Sequence, residues 1–157
     1  MAKGTPATAA VQKAGIAFAL REYDYDPNAE RIGLQAAEAL GVAPARLLKT
    51  LMAKAGGAFV CLLAPSDREV SLKKLAIAAG TKEAALCAPA EAERITGYHI
   101  GGISPFGQRR RVRTLIEESA LAHATVIVNG GRRGLQIELA PADLGRVLAA
   151  QAVALCA

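Results

Sequence analysis

The stretch Gly97–Gly107, G-Y-H-I-G-G-I-S-P-F-G, sets four glycines and one proline around a single serine in eleven residues. Ordinary helix or strand does not tolerate that density. Glycine reaches backbone angles closed to other residues and lets a second group approach the main chain. Pro105 has no N–H and fixes its own φ. The stretch therefore reads as a shaped loop, and the rest of the chain must say what it is shaped for.

Around this loop the punctuation predicts alternating elements. Thr5-Pro6 starts a helix, with Thr5 as N-cap and Pro6 at the first helical position, closed by Gly15. Phe18–Tyr25 reads as a strand, followed by a turn at Asp26-Pro27-Asn28. Leu34–Leu40 is a short helix ending at Gly41. Leu47–Ala53 and Ala58–Ala64 form an antiparallel hairpin about Gly56-Gly57. Ser71 caps a helix with Leu72, Leu75, Ala76 and Ala79 at helical spacing, ended by Gly80. A short strand at Ala84–Cys87 and a helix from Pro89 to Thr96 precede the loop. Beyond it come strands at Val112–Glu117, Thr125–Val128 and Leu135–Leu139. The last two are joined as a hairpin by N-G-G-R-R-G, and Pro141 opens a final helix with Leu144, Val147 and Leu148 inward. Helices mixed with hairpins predict an α+β fold, one domain over residues 1–157, with a mixed, curved sheet.

The chain has 157 residues, 52% of them hydrophobic, which suits one core. Alanine dominates that share and there is no Trp. Phe18, Tyr23, Tyr25, Phe59, Tyr98 and Phe106 are the aromatic residues. The formal net charge of +5 favours anionic partners. Arg109, Arg110, Arg111 and Arg113 follow the glycine loop directly, and Arg132 and Arg133 sit inside the second glycine run. A solvated charged face is the ordinary fate of such clusters. Both, however, adjoin glycine-rich backbone, where phosphate contacts are often made. Cys61, Cys87 and Cys156 are odd in number and far apart, so neither a disulfide framework nor a zinc site is indicated. His99 and His123 have no second ligand at metal spacing, and no metal or cofactor is expected. The N-terminus lacks a secretory apolar region, and no apolar run reaches the length of a membrane span. The cytoplasm is the expected compartment, with no membrane partner.

Familiar catalytic patterns fit poorly. A nucleophile elbow has glycine two residues on either side of its serine. Gly102 fits Ser104, but Gly107 lies three residues away. Pro105 occupies the position that should donate an oxyanion N–H. A turn or ligand-contacting role suits Ser104 better. Neither glycine run matches a P-loop or a dinucleotide fingerprint. Glu117 and Glu118 point to opposite faces of a strand and cannot share a site. Asp24 and Asp26 border a turn, where Asp is common. Lys49 is more informative, because it interrupts L-L-K-T-L-M-A. It either points to solvent or enters a pocket, and solvent is the commoner outcome, since buried lysines are rare. In a cleft it would be a fixed cation for a phosphate or a developing negative charge.

Taken together, R-E-Y-D-Y-D-P, L-L-K-T-L, S-L-K-K-L-A, T-G-Y-H-I-G-G-I-S-P-F-G-Q-R-R-R and V-N-G-G-R-R-G-L-Q-I-E-L-A-P-A-D-L resemble the YbaK proteins. These are Cys-tRNA(Pro) deacylases of the aminoacyl-tRNA editing superfamily, which also supplies the editing domain of many prolyl-tRNA synthetases. The resemblance covers nearly the whole chain. It implies the editing-domain fold, with a barrel-like sheet, and a hydrolase that removes cysteine wrongly attached to proline tRNA. The substrate thiol would attack its own ester carbonyl and leave as a cyclic thiolactone, so the enzyme need supply no nucleophile. By the same resemblance Lys49 would hold the terminal adenosine end and help fix the ester, and the Gly101 and Gly102 amides would bind the carbonyl oxygen, so that these three are the expected catalytic residues. Tyr23 would line the amino-acid pocket. Thr50, Ser104, Gly130 and Gly131 would lie at the substrate. On their charge, Arg109, Arg110, Arg111, Arg132 and Arg133 are the candidate contacts for tRNA phosphates. Ile32 stands where close relatives carry an aromatic residue, and Asn129 where they carry serine. Both are pocket positions, so editing of alanine or another small residue by water attack stays open. So does a non-catalytic module binding tRNA or prolyl-tRNA synthetase. The implied partners are mischarged tRNA(Pro) and, transiently, the synthetase.

Overall fold

A computed structural model describes residues 4–26, 28 and 32–157, with the Ile32 side chain outside the description. The chain runs α1 (Pro6–Ala14), β1 (Phe18–Glu22), α2 (Ile32–Leu40), β2 (Leu48–Ala55), β3 (Ala58–Pro65), α3 (Leu72–Ala79), β4 (Ala84–Leu86), α4 (Pro89–Thr96), β5 (Arg113–Glu117), β6 (Val126–Asn129), β7 (Leu135–Leu139), α5 (Pro141–Leu148) and β8 (Gln151–Val153). The predicted helix signals operate as chemistry. The Thr5 hydroxyl accepts from the Thr8 N–H, while the Thr8 hydroxyl accepts from the Thr5 N–H at 2.8 Å. This reciprocal box satisfies two donors that the first helical turn would otherwise orphan. Ser71 caps α3 through the Lys74 N–H.

The hairpin of β2 and β3 is the centre of the fold. Gly56 and Gly57 both have positive φ, and Ala55 pairs with Ala58, so the turn is a two-residue loop of the kind that follows strand twist. Side chains alternate across a strand. On β3, Cys61 and Leu63 therefore enter one core with Phe106, Ile116 and Ile137, while Val60, Leu62 and Ala64 enter another with Leu75, Leu115 and Leu155. A five-stranded sheet grows from this pair in the order β4-β2-β3-β5-β8. Its β3–β5 and β5–β8 pairings are parallel.

The α+β class and the mixed, curved sheet stand as expected. The strands do not close into a barrel, however: β1, β7 and β6 form a separate antiparallel sheet of three. One isolated bridge, Leu47 to Ile127, joins the two sheets. Several boundaries also move. β1 stops at Glu22 rather than Tyr25: one more backbone bond, from the Tyr23 N–H to the Gly134 carbonyl at 3.0 Å, follows the last paired residue. At the expected Asp26-Pro27-Asn28 turn, Pro27 lies outside the described residues, while the Asn28 N–H donates to Asp26 Oδ1 at 2.9 Å. α2 begins at Ile32, two residues before the expected Leu34. Leu72 is 43% exposed despite its helical spacing, because it opens α3 on the solvent side of Leu75. β8 escaped the sequence reading: it is short, and its partner β5 lies far upstream. No helix among the described residues is long and apolar enough to cross a membrane.

Glu117, at the end of β5, ties down the C-terminal segment. It is 3% exposed. Its carboxylate accepts from the N–H groups of Ser119, Leu155 and Cys156 at 2.9, 3.0 and 3.1 Å. Burial alone would raise its pKa, but these backbone donors outweigh burial and hold it at about 2. The folded state thus favours the charged form. The stabilisation is complete above the ordinary carboxylate range and fades as pH falls from about 5 toward 2. Glu117→Gln is expected to cost about 2 kcal/mol at neutral pH. The difference from the parent protein should shrink toward zero as the medium approaches the folded pKa, as urea titrations across acid pH will show.

Candidate functional site

Where the two sheets part, a cavity of about 230 Å³ opens. Five consecutive residues, Leu47–Leu51, line it, so it runs along the edge of β2 rather than over one face. That edge is open because β4 pairs only with Ala53–Ala55. The opposite wall comes from Tyr23, Asn129 and Gln136 of the smaller sheet and its margins, and from the loop residues Ile100, Gly101 and Ile103; Gly33 and Ala36 of α2 add to the lining. Lys49 lies here rather than in open solvent, with its side chain 23% exposed. Its Nζ is 3.9 Å from Glu69 Oε1, and Glu69 is 84% exposed. Such a loose surface pair is worth under about 1 kcal/mol, so the ammonium keeps its capacity for a ligand. The hydroxyls of Tyr23 and Thr50 and the carbonyl oxygen of Gln136 are buried without a hydrogen-bond partner among the described residues. Burial pushes the Tyr23 phenol above its ordinary range, and the neighbouring Gln136 side chain partly offsets this.

The glycine loop is braced from within. The Tyr98 hydroxyl donates to the Phe106 carbonyl at 2.6 Å and closes the loop. Ser104 is fully buried, and its Oγ accepts from the Phe106 N–H at 3.2 Å. It shapes the loop and does not line the cavity. Gly101 has φ +88°, a conformation that side chains rarely adopt. The peptide joining Gly101 to Gly102 is pinned at both ends. Asn129 Nδ2 donates to the Gly101 carbonyl at 3.2 Å, and the Gly102 N–H donates to the His99 carbonyl at 2.9 Å. The expected pair of free glycine amides is therefore one. Gly102 spends its N–H inside the loop, whereas the Gly101 N–H has no partner among the described residues and Gly101 lines the cavity.

The remaining expected site residues divide. Asn129 both lines the cavity and bridges the two glycine runs, since its Oδ1 accepts from the Gly131 N–H at 2.7 Å. Gly130 and Gly131 sit behind it, packed against Leu135 and against Thr5 and Tyr98. The Ile32 side chain lies outside the described residues. Arg109, Arg110 and Arg111 are exposed and away from the cavity, with Arg110 over the Phe59 ring at 5.3 Å. Arg132 pairs with Glu22 at 3.2 Å. Arg133 donates from Nε to the Ile100 carbonyl at 3.0 Å. Gln136 was missed. The pattern L-Q-I-E-L holds two polar residues, and nothing local shows that Gln136 is buried at 3% exposure while Glu138 pairs with Arg21 and Arg46.

Among the described residues, no Ser, Cys, His, Asp or Glu lines the cavity. Burial pushes the Cys61 thiol up to about 12 and also raises that of Cys156, so neither is a ready thiolate. The site thus offers one ammonium, one free backbone amide, side-chain amides and hydroxyls, and an apolar wall. It can hold and polarise a small polar ester, but its described lining includes no carboxylate or imidazole to activate a nucleophile.

Residues 26–147 match the family model described as an aminoacyl-tRNA editing domain. The chain is 36% identical over 124 residues to EbsC of Enterococcus faecalis, a candidate Cys-tRNA(Pro)/Cys-tRNA(Cys) deacylase, covering 77% of this chain and 75% of that one. It is 32% identical over 96 residues to the proline–tRNA ligase of Geobacillus thermodenitrificans, covering 61% of this chain and 16% of the ligase. The fold matches the crystal structure of a candidate trans-editing enzyme for prolyl-tRNA synthetase, with TM-score 0.86, 22% identity and 99% of each chain covered.

The Gly102 position admits no side chain. A Cβ there would lie 2.9 Å from the Arg132 Cα and 3.1 Å from the Arg133 nitrogen, both backbone atoms. Gly102→Ala is expected to push the two glycine runs apart and destabilise the fold by about 1–3 kcal/mol. Thermal melting checks the loss of stability. Amide spectra should show shifts in both runs and none in α3.

Proposed function

The chain belongs to the aminoacyl-tRNA editing domain family, and on that premise we propose that it deacylates cysteine wrongly esterified to tRNA(Pro). The observation that carries this reading is that Lys49 and Gly101 wall one cavity whose lining, among the described residues, includes no Ser, Cys, His or carboxylate. At about 230 Å³ it falls below the ~300–1,000 Å³ of pockets for larger ligands. That size suits a small aminoacyl group with the terminal adenosine left outside.

In the proposed reaction the substrate thiol ionises, giving its proton to solvent water, and its sulfur attacks the ester carbonyl of the same residue. Charge develops on the carbonyl oxygen, where the Gly101 N–H and the Lys49 ammonium would stabilise it. The carbon–oxygen bond to the ribose then breaks. The ribose oxygen takes up a proton, and cysteine departs as the thiolactone. Holding the sulfur and carbonyl in one pose is the larger share of the catalysis. Well-oriented intramolecular attack is worth roughly 7–11 kcal/mol. Asn129 and Gln136 would orient the amino-acid part, and Tyr23 and Thr50 would close the pocket around it. The net charge of +5 supports attraction to tRNA phosphates, with affinity falling as salt rises. Selection of tRNA(Pro) is assigned to a transient complex with prolyl-tRNA synthetase.

Purified protein should release cysteine from cysteinyl-tRNA(Pro) well above the buffer rate, and no acceleration would reject cysteine editing. Lys49→Ala is expected to lower kcat/KM by roughly 10²–10³-fold at unchanged melting temperature. Replacing the substrate thiol by hydroxyl should abolish release. Equal cleavage of seryl-tRNA(Pro) would instead indicate water attack, as editing of alanine would require.

A further inference from the structure

We propose that Arg133 is a positioning residue, which aims the Gly101 amide into the Lys49 cavity, rather than a contact for tRNA phosphate. The proposal rests on the deacylase reading only for its kinetic consequences. The Arg133 Nε–H donates to the Ile100 carbonyl at 3.0 Å. No cis peptide bond is present among the described residues, so the N–H of Gly101 points opposite to that carbonyl. Arg133 shares a hollow with Glu93, His99 and Gly102 on one side of the loop, while Gly101 lines the Lys49 cavity on the other. Pulling the carbonyl toward the guanidinium therefore turns the free amide toward the cavity. A charged donor on a peptide oxygen also polarises the peptide, which makes its N–H a stronger donor.

The guanidinium is itself held. It lies 5.0 Å from the centre of the Tyr25 ring. It also packs against Gly101, where a Cβ would come within 2.7 Å of Nε. On the neighbouring peptide, Glu93 Oε2 accepts the Ile100 N–H at 2.8 Å. A carboxylate and a guanidinium thus bracket both backbone groups of Ile100. The same hollow is poorly made for phosphate. The amides of Gly102 and Gly131 are spent on His99 and Asn129, and Glu93 contributes negative charge.

The test compares Arg133→Ala and Arg133→Lys in the full chain. Lysine keeps the charge but has neither the planar fork nor its stacking. Both variants should shift the Gly101 amide resonance while the melting temperature stays within a few degrees of the parent. An unmoved Gly101 amide would overturn the proposal. In single-turnover deacylation of cysteinyl-tRNA(Pro), both should lower the saturating rate by about 10–100-fold, approaching the loss of one oxyanion donor. KM and the salt dependence of kcat/KM should hold, and added methylguanidinium should restore part of the Arg133→Ala rate. A wild-type rate in Arg133→Lys would overturn the proposal, as would a raised KM with a salt slope shallower by about one in Arg133→Ala, the mark of a lost phosphate contact. If the parent protein releases no cysteine, the deacylase reading fails alone, and the Gly101 resonance still decides the role of Arg133.

Discussion

Strand β2 is paired with β3 along its whole length on one edge, but with β4 only from Ala53 to Ala55 on the other. The unmatched part of that second edge is where the site forms. Had β4 been longer, the edge would be filled by ladder hydrogen bonds and Lys49 would face a neighbouring strand. Instead the smaller sheet approaches there, is joined by one backbone bridge between Leu47 and Ile127, and diverges. The buried residues Leu48, Val128, Ile137 and Phe106 belong to one continuous cluster that joins the two sheets and the loop. Side chains from the two sheets and the glycine loop converge on the gap that remains.

A cavity bounded by a loop needs the loop to be stiff, and this one is stiffened from outside the matched family region as well as from within. Thr5 lies upstream of residue 26, where that match begins. Its hydroxyl donates to the Gly130 carbonyl while also capping α1, so the start of the first helix is tied to the second glycine run. Asn129 then ties that run to Gly101. Each link is an ordinary hydrogen bond, worth about 1 kcal/mol net. Together they leave the loop few ways to relax, which is the condition for a backbone amide to act without reorganising.

Much of this was legible in the sequence, and the pattern of success has physical causes. Caps, glycine stops and the Gly56-Gly57 hairpin are local, and they appear where the residues put them. Lys49 stood out as a cation in an apolar strand, although only the tertiary structure shows that its edge is unpaired. The division into two sheets, the parallel β3–β5–β8 pairing and the burial of Gln136 all depend on contacts distant in sequence, which no local pattern encodes. The arginines show the same limit from the other side. Six residues of identical charge flank two glycine runs, yet one rests on a phenylalanine, one pairs with Glu22 and one holds a peptide carbonyl. Composition gives the sign of the field and not the task of each guanidinium.

The chemistry of the cavity bears on selectivity in a way that its shape does not. No carboxylate or imidazole is among the described residues that line it, so on the deacylase reading the attacking atom must arrive already close to ionising. A thiol with pKa near 8.5 meets that condition, being a few per cent thiolate at neutral pH. A hydroxyl does not, and proline has no side-chain nucleophile at all. On that reading the correct product would be spared even if it entered the pocket, because it carries no side-chain nucleophile of its own. A site that discriminates in this way needs neither a tight steric fit nor a mobile cover. It needs a fixed pose and a stable acceptor for developing charge, and Lys49 with the turned amide of Gly101 would supply both.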